Sequence, residues 1–155
     1  MVFLVMRIYA DTSIFGGYFD VEFAEATKRF FEDIDRGRFL LVSSAVVATE
    51  IEPAPDKVRN LFFQYAAICQ TEDVSSESLI LRGKYIEAGI VTTKSLDDAL
   101  HVAIATVTKC DIIVSWNFKH IVHFDKIKKY NAVNLLHGYG PIGIYSPLEV
   151  IDYDE

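Results

Sequence analysis

The chain alternates short, almost continuously apolar runs with longer segments whose apolar residues recur every three or four positions. Val2 to Ala10 is apolar apart from Arg7, which predicts a central parallel strand covered on both faces. Phe39 to Val42 and Asp111 to Ser115 predict two more strands, and Ile144-Tyr145 a last edge strand. Glu22 to Asp35 has helical spacing, with Phe23, Ala26, Phe30 and Ile34 on one stripe and Gly37 just beyond its end. Ser44 predicts the N-cap of a short helix through Ile51, stopped by Pro53. Helices follow over Asp56 to Cys69, over Glu77 to Ala88 (closed by Gly89), and from Leu96 to about Thr108. The last is apolar almost all round, so it is expected to be buried. Ser95-Leu96-Asp97-Asp98 matches a capping box at its start. A polar, helix-like stretch surrounds Phe124 to Tyr130. Strands alternating with helices predict an α/β sandwich with a mainly parallel sheet. No repeat, linker or low-complexity tract divides residues 1–155, so one domain is expected.

Composition narrows the functions. With 51% hydrophobic and 24% charged residues, the chain is neither disordered nor fibrous. Its longest apolar runs, such as Val2 to Met6, are far shorter than a membrane span. That run is also too short for a signal peptide, and no small-residue cleavage site follows it; a cytoplasmic protein without membrane contact is expected. A net charge of −7 argues against coating nucleic acid by bulk electrostatics. It does not exclude a nuclease, because a metal can bring phosphate into an acidic protein. Lys119, Lys126, Lys128 and Lys129, and Arg36 and Arg38, form locally basic stretches that suit either a phosphate backbone or solvent. Cys69 and Cys110 fit no ligand spacing and read as buried, inert thiols.

The chemistry gathers at strand ends. Asp11 closes the first apolar run, and Ser115-Trp116-Asn117 closes a later one. Two such strands lying parallel place Asp11 and Asn117 in one crevice beyond the carboxyl ends, where open α/β sheets bind ligands. Asp11-Thr12-Ser13 equally suits a turn or an N-cap. Glu50 lies in an otherwise apolar helix; Glu52 is its rival, because only one of the two can face a pocket. Asp98 suits the helix dipole of a first turn as well as a pocket. His101, three residues on, shares its face and suits three roles: orienting Asp98, meeting a substrate phosphate, or sitting in the core with a backbone partner. Asn117 offers a carbonyl oxygen without charge. Thr12, Ser13 and Ser115 offer hydroxyls to hold carboxylates. His120 and His123 lack the further ligands zinc needs. Hard oxygen donors point instead to Mg²⁺ or Mn²⁺ and to phosphodiester hydrolysis.

Four segments in this order resemble the PIN domain family, in particular VapC-like toxins of type II toxin–antitoxin systems. They are Tyr9-Ala10-Asp11-Thr12-Ser13, Val47-Ala48-Thr49-Glu50-Ile51, Asp98-Ala99-Leu100-His101-Val102-Ala103 and Ile113-Val114-Ser115-Trp116-Asn117-Phe118-Lys119-His120. Ser146-Pro147-Leu148-Glu149 also looks like the tail of a PIN subgroup. The resemblance covers essentially the whole chain. It implies a three-layer α/β/α sandwich and a Mg²⁺- or Mn²⁺-dependent endoribonuclease. It further implies a homodimer held inactive by an antitoxin protein, and RNA products with a 5′-phosphate and a 3′-hydroxyl. Asp11, Glu50 and Asp98 would be the metal-binding acids, with Lys119 and His120 towards the RNA. Asn117 falls where many members have a fourth acid, and Ser115 where they have a supporting hydroxyl. An amide there removes one negative charge. This leaves two alternatives open: a weakened PIN module that binds RNA or a protein partner, or an RNA-processing nuclease that is not a toxin.

Overall fold

The computed structural model describes residues 5–153. The predicted first strand is present as β1 (Met6–Ala10); its expected beginning at Val2–Leu4 lies outside the described residues. Its last three residues, Ile8, Tyr9 and Ala10, are completely buried, as a strand covered on both faces requires. The chain then enters a short helix α1 (Thr12–Gly17), which decides between the turn and N-cap readings of Asp11. Asp11 supplies the N-cap, its side chain accepting from Ser13 N. Helix α2 (Ala24–Asp35) buries Ala26, Phe30 and Ile34 of the expected stripe, with half-buried Phe23 just before its start, and ends before Gly37, whose φ of 77° lets the chain turn back.

Strand β2 (Phe39–Ser44) runs into α3 (Ala45–Ile51), capped by Ser44 as expected. Helix α4 (Asp56–Ala66) buries Phe62 and Tyr65 and leaves Phe63 exposed. Next comes a strand the sequence pattern does not reveal, β3 (Gln70–Glu72). It lies at the sheet edge, paired only with β2, and its side chains are exposed or half-exposed, so they need not be apolar. Helix α5 (Ser76–Glu87) starts from a capping box between Ser75 and Ser78. A 3-10 turn (Thr93–Ser95) precedes α6 (Leu96–Val107), which is buried over Ala99–Thr106. The capping box expected at Ser95 and Asp98 does not form. Ser95 makes no side-chain cap bond, because the 3-10 turn takes its backbone out of the extended conformation a cap needs. Strand β4 (Ile112–Val114), helix α7 (Phe124–Leu136), strand β5 (Gly143–Tyr145) and the short α8 (Pro147–Val150) complete the fold. Helix α7 is longer than its polar pattern indicates, and α8 carries a capping box between Ser146 and Glu149.

All five strands are parallel, in the order β3-β2-β1-β4-β5. Helices α1–α4 and α8 contact one another, while α5, α6 and α7 form a second group, with the sheet between them. This is the expected three-layer α/β/α sandwich. The strand order reverses between β1 and β4, and that switch point is where a parallel sheet opens a crevice at its carboxyl edge. Ala10 pairs with Val114 there, and Asp11 N donates to Val114 O at 3.3 Å. Residues 11 and 115 therefore leave the sheet side by side. Of the two cysteines, Cys110 is buried as expected, but Cys69 is only half-buried. No helix among the described residues is long and apolar enough to cross a membrane.

Candidate functional site

The site grows from the first residues beyond β1 and β4. Asp11 is 4% exposed, and both carboxylate oxygens are occupied. Oδ1 accepts from Ser13 Oγ at 2.5 Å and from Ser13 N at 3.1 Å; Oδ2 accepts from Ser115 Oγ at 2.6 Å. Ser13 Oγ in turn accepts from Trp116 N at 2.8 Å, and Ser115 Oγ from Asn117 N at 2.9 Å. The two crossover loops are thus sewn together around one carboxylate. Burial drives the Asp11 carboxyl above its ordinary range. The nearby His101 and the two serine hydroxyls only partly oppose that shift, and Glu50 adds to it.

Helix α3 brings Glu50 to the same crevice, while Glu52 points to solvent. Glu50 Oε1 accepts from His101 Nε2 at 2.5 Å and from Thr12 Oγ1 at 2.9 Å. Burial pushes Glu50 up, but the His101 bond and charge and the Thr12 bond more than offset it, so its carboxyl lies below its ordinary value. A cleft of about 220 Å³ lined by Ala45, Val46, Thr49, Glu50, Val74 and Asp97 opens beside it. Larger hollows, of about 340 and 470 Å³, lie away from these carboxylates, so size alone does not mark the site.

His101 is the hub. Where the sequence offered it Asp98, a phosphate or a backbone partner, its hydrogen bonds go to the side chains of Glu50 and Tyr9, and Asp98 reaches it only by charge. Nδ1 lies 2.7 Å from Tyr9 Oη, which lies 2.7 Å from Ser44 Oγ. Ser44 Oγ accepts from Val47 N, so the relay ends at the N-terminus of the helix that carries Glu50. It is complete in either protonation state. With neutral imidazole, Ser44 donates to Tyr9 and Tyr9 to Nδ1; with imidazolium, both bonds reverse. Burial lowers the His101 pKa, but the Glu50 bond and the charges of Asp11, Glu50 and Asp98 raise it further, for a net upward shift. Tyr9 and Ser44 are functional neighbours that sequence reasoning missed. The available signal was a tyrosine in a buried aliphatic strand, whose hydroxyl must find a partner. Groups that orient metal-holding side chains are worth about 10–100-fold in metal affinity. Tyr9→Phe is therefore expected to weaken Mn²⁺ binding about tenfold by titration calorimetry. Unchanged affinity would make the relay purely architectural.

Asp98 lies half-exposed in the first turn of α6 and joins no hydrogen bond of this network; it acts on His101 and His120 through its charge. Asn117 Oδ1 accepts from Lys119 N at 3.2 Å and from His120 N at 2.9 Å, so the amide folds the loop after β4. His120 Nδ1 lies 3.2 Å from Lys126 Nζ, and Lys119 is exposed. Burial and the positive charge of Lys126 hold His120 below its ordinary pKa.

A hard divalent cation suits the donor chemistry. Asp11 and Glu50 act on each other, and Asp11 is a buried acid short of positive charge. Among the described residues, no group of three or more His, Cys, Asp or Glu side chains converges closely enough to hold a metal ion. The fit is therefore to an ion held by one or two carboxylates and otherwise by water, a common manner for Mg²⁺.

No family model matches the chain, and no curated protein does. Solved structures do. FitAcB from Neisseria gonorrhoeae superposes with a TM-score of 0.57 at 10% identity, over 92% of this chain and 99% of that one. VapBC2 from Rickettsia felis, bound to a DNA fragment from their promoter, gives 0.54 at 14% identity, over 74% and 90%. VapC20 of Mycobacterium tuberculosis, a Sarcin-Ricin loop cleaving toxin, gives 0.52 at 14% identity, over 73% and 92%. A five-stranded parallel sheet with acids at its switch point and this set of likenesses lead to one conclusion: the chain has the fold of a VapC-like PIN domain.

Proposed function

We propose that the protein is a Mg²⁺- or Mn²⁺-dependent endoribonuclease, acting as the toxin of a toxin–antitoxin pair. The observation that carries this reading is the buried Asp11 carboxylate at the switch point. Ser13 and Ser115 hold it in place and Glu50 lies beside it. Asp11 and Glu50 would hold the ion, while Asp98, half-exposed and outside their hydrogen-bond network, would add its negative charge nearby. When bound, such an ion lowers the pKa of the attacking water and stabilises the leaving oxygen. The chain's own part is orientation. Ser13 and Ser115 fix Asp11, while Thr12 and His101 fix Glu50. Lys119 and His120 lie on the loop after Asn117, where they would meet the RNA backbone. A cognate antitoxin belongs to the same reading, supported by the likeness to VapBC2 and FitAcB, and a homodimer belongs to it through the sequence resemblance alone.

The first test is cleavage of mixed structured and single-stranded RNA with Mg²⁺, Mn²⁺ or EDTA. Metal-dependent cutting supports the nuclease. A folded, antitoxin-free sample that cuts with neither ion points to a PIN-fold binding module. One observation favours that second reading: Asn117 contributes no charge. Its amide oxygen caps the loop through two backbone N–H groups, and a carboxylate keeps both bonds. Asn117→Asp is therefore expected to preserve the loop and tighten Mn²⁺ binding by titration calorimetry. Equal affinity in the two forms would exclude position 117 from the metal site.

A further inference from the structure

Thr27 is a hydroxyl residue on the buried face of α2, beside Ala26, Phe30, Phe31 and Ile34, and is itself completely buried. Its hydroxyl donates to Phe23 O at 2.7 Å, the usual bond of a helical threonine to the carbonyl four residues back. Helix and core need no more than this, and valine would fill the same space. Yet Thr27 Oγ1 accepts a second bond, from Trp116 Nε1 at 2.9 Å. The direction of that bond is fixed. An indole N–H can only donate, and the threonine proton is already committed to Phe23 O.

Two further contacts close on the same indole. Phe23 stacks on it with ring centroids 4.2 Å apart and planes within 19° of parallel. Gly17, the last residue of α1, leaves room for it: a Cβ there would lie 2.7 Å from Trp116 Cδ1 and Nε1 and 3.1 Å from Thr27 Oγ1. Residues 17, 23 and 27 thus grip a side chain that belongs to the segment beyond β4. The backbone of that segment enters the carboxylate network. Trp116 N donates to Ser13 Oγ at 2.8 Å, and Ser13 Oγ donates to Asp11 Oδ1. On either side of Trp116 in the chain, Asn117 N donates to Ser115 Oγ, which donates to Asp11 Oδ2. A shift of the indole therefore loosens both serine hydroxyls at once.

We propose that Thr27 is a positioning residue of the site: by anchoring the Trp116 indole to α2, it fixes the two serine hydroxyls that hold the Asp11 carboxylate. This rests on the reading above, in which Asp11 holds the metal ion. Thr27 touches neither ion nor substrate and acts through Trp116 and Ser13. The competing account is that Thr27 merely satisfies a buried indole N–H, which costs stability when unpaired but leaves Asp11 where it is.

Two measurements on the full chain test this, well below the melting temperature. The first is amide hydrogen exchange by NMR in EDTA, which needs no metal. Ser13 N donates to Asp11 Oδ1 and Trp116 N to Ser13 Oγ, so these two amides report the placement of the carboxylate. In Thr27→Val both should exchange at least about tenfold faster relative to Ala103 in the core of α6. The second is Mn²⁺ affinity by titration calorimetry, which should fall about tenfold. Thr27→Ser keeps the acceptor and should restore both. Gly17→Ala displaces the indole with Thr27 intact and should reproduce both losses. A lower melting temperature with Ser13 and Trp116 protection unchanged overturns the proposal and leaves Thr27 a packing residue. Lost protection with unchanged Mn²⁺ affinity overturns it too. A wild type that binds no Mn²⁺ removes the metal reading alone, because amide protection still decides whether Thr27 places Asp11.

Discussion

Asp11→Asn abolishes metal-dependent RNA cleavage while stabilising the metal-free protein: this is the expected outcome of removing the most buried charge of the site. Groups that merely orient a metal's holders are worth about 10–100-fold. Asp11 is proposed to hold the ion itself, so the loss should be at least about a hundredfold. The stability effect has the opposite sign. Burial drives the Asp11 carboxyl above its ordinary value, so the folded state disfavours its ionised form. At neutral pH the wild-type fold therefore bears a cost that a neutral amide removes. Near-equal size lets Asn keep an acceptor for Ser13, and its new N–H₂ faces Ser115 Oγ, which can turn to accept. In EDTA the melting temperature should rise by a few degrees, at about 2–4 °C per kcal/mol for a chain of this size. With Mn²⁺ the ranking should reverse, because only wild type gains the ion's binding energy. A variant that melts lower than wild type in EDTA would mean that the serine bonds outweigh the cost of burying the charge.

The second large effect lies away from the site. Asp33 on α2 is 1% exposed. It accepts from Arg36, from Arg38 Nη1 at 2.9 Å and from Asp152 N at 3.1 Å. Arg38 also donates to Val150 O and Arg29 to Asp152 O, so this cluster ties the end of the described chain to α2. Asp33→Ala strands the Asp152 N–H and takes the shared carboxylate away from Arg36 and Arg38. Because the guanidinium groups reach solvent, the loss should be about 2–3 kcal/mol, below that of a fully buried pair. That corresponds to roughly 5–10 °C in melting temperature.

The pH dependence separates charge from packing. Burial raises the Asp33 carboxyl, but Arg36, the Asp152 N–H and Arg38 together bring it below its ordinary value of 3.8. A depressed folded pKa contributes stability that is complete above the unfolded value and lost as pH falls through the folded one. The gap between wild type and Asp33→Ala should therefore be constant from neutral pH to about pH 4 and close below it. Thermal melts across that range measure it. A gap that does not narrow at all as the pH falls below about 4 would assign the effect to packing.

How much of this was legible differs between fold and site. Strands β1, β2, β4 and β5 and the larger helices could be read because burial on one or both faces leaves a local period in the sequence. The Ser44 cap and the Gly37 stop could be read because each acts within a few residues. Strand β3 could not: Gln70–Glu72 carries no apolar pattern, and it is a strand only because the β2 edge offers it hydrogen bonds. The Ser95–Asp98 capping box had the right residues but lost to a 3-10 turn. His101 had three plausible local roles; it is buried, as the core role had it, but its hydrogen bonds go to the side chains of Glu50 and Tyr9, which no local spacing shows.

By itself, the sequence determined the alternation of strand and helix. It also placed acids and hydroxyls at the ends of elements, with an amide at position 117. Only the tertiary structure decided which of these meet. Asp11 joins Ser115 across 104 residues, Tyr9 joins His101 across 92, and His101 joins Glu50 across 51. Such pairings depend on strand order and on which helix faces which. Those are set by the collective burial of the core, and no local spacing in the chain encodes them.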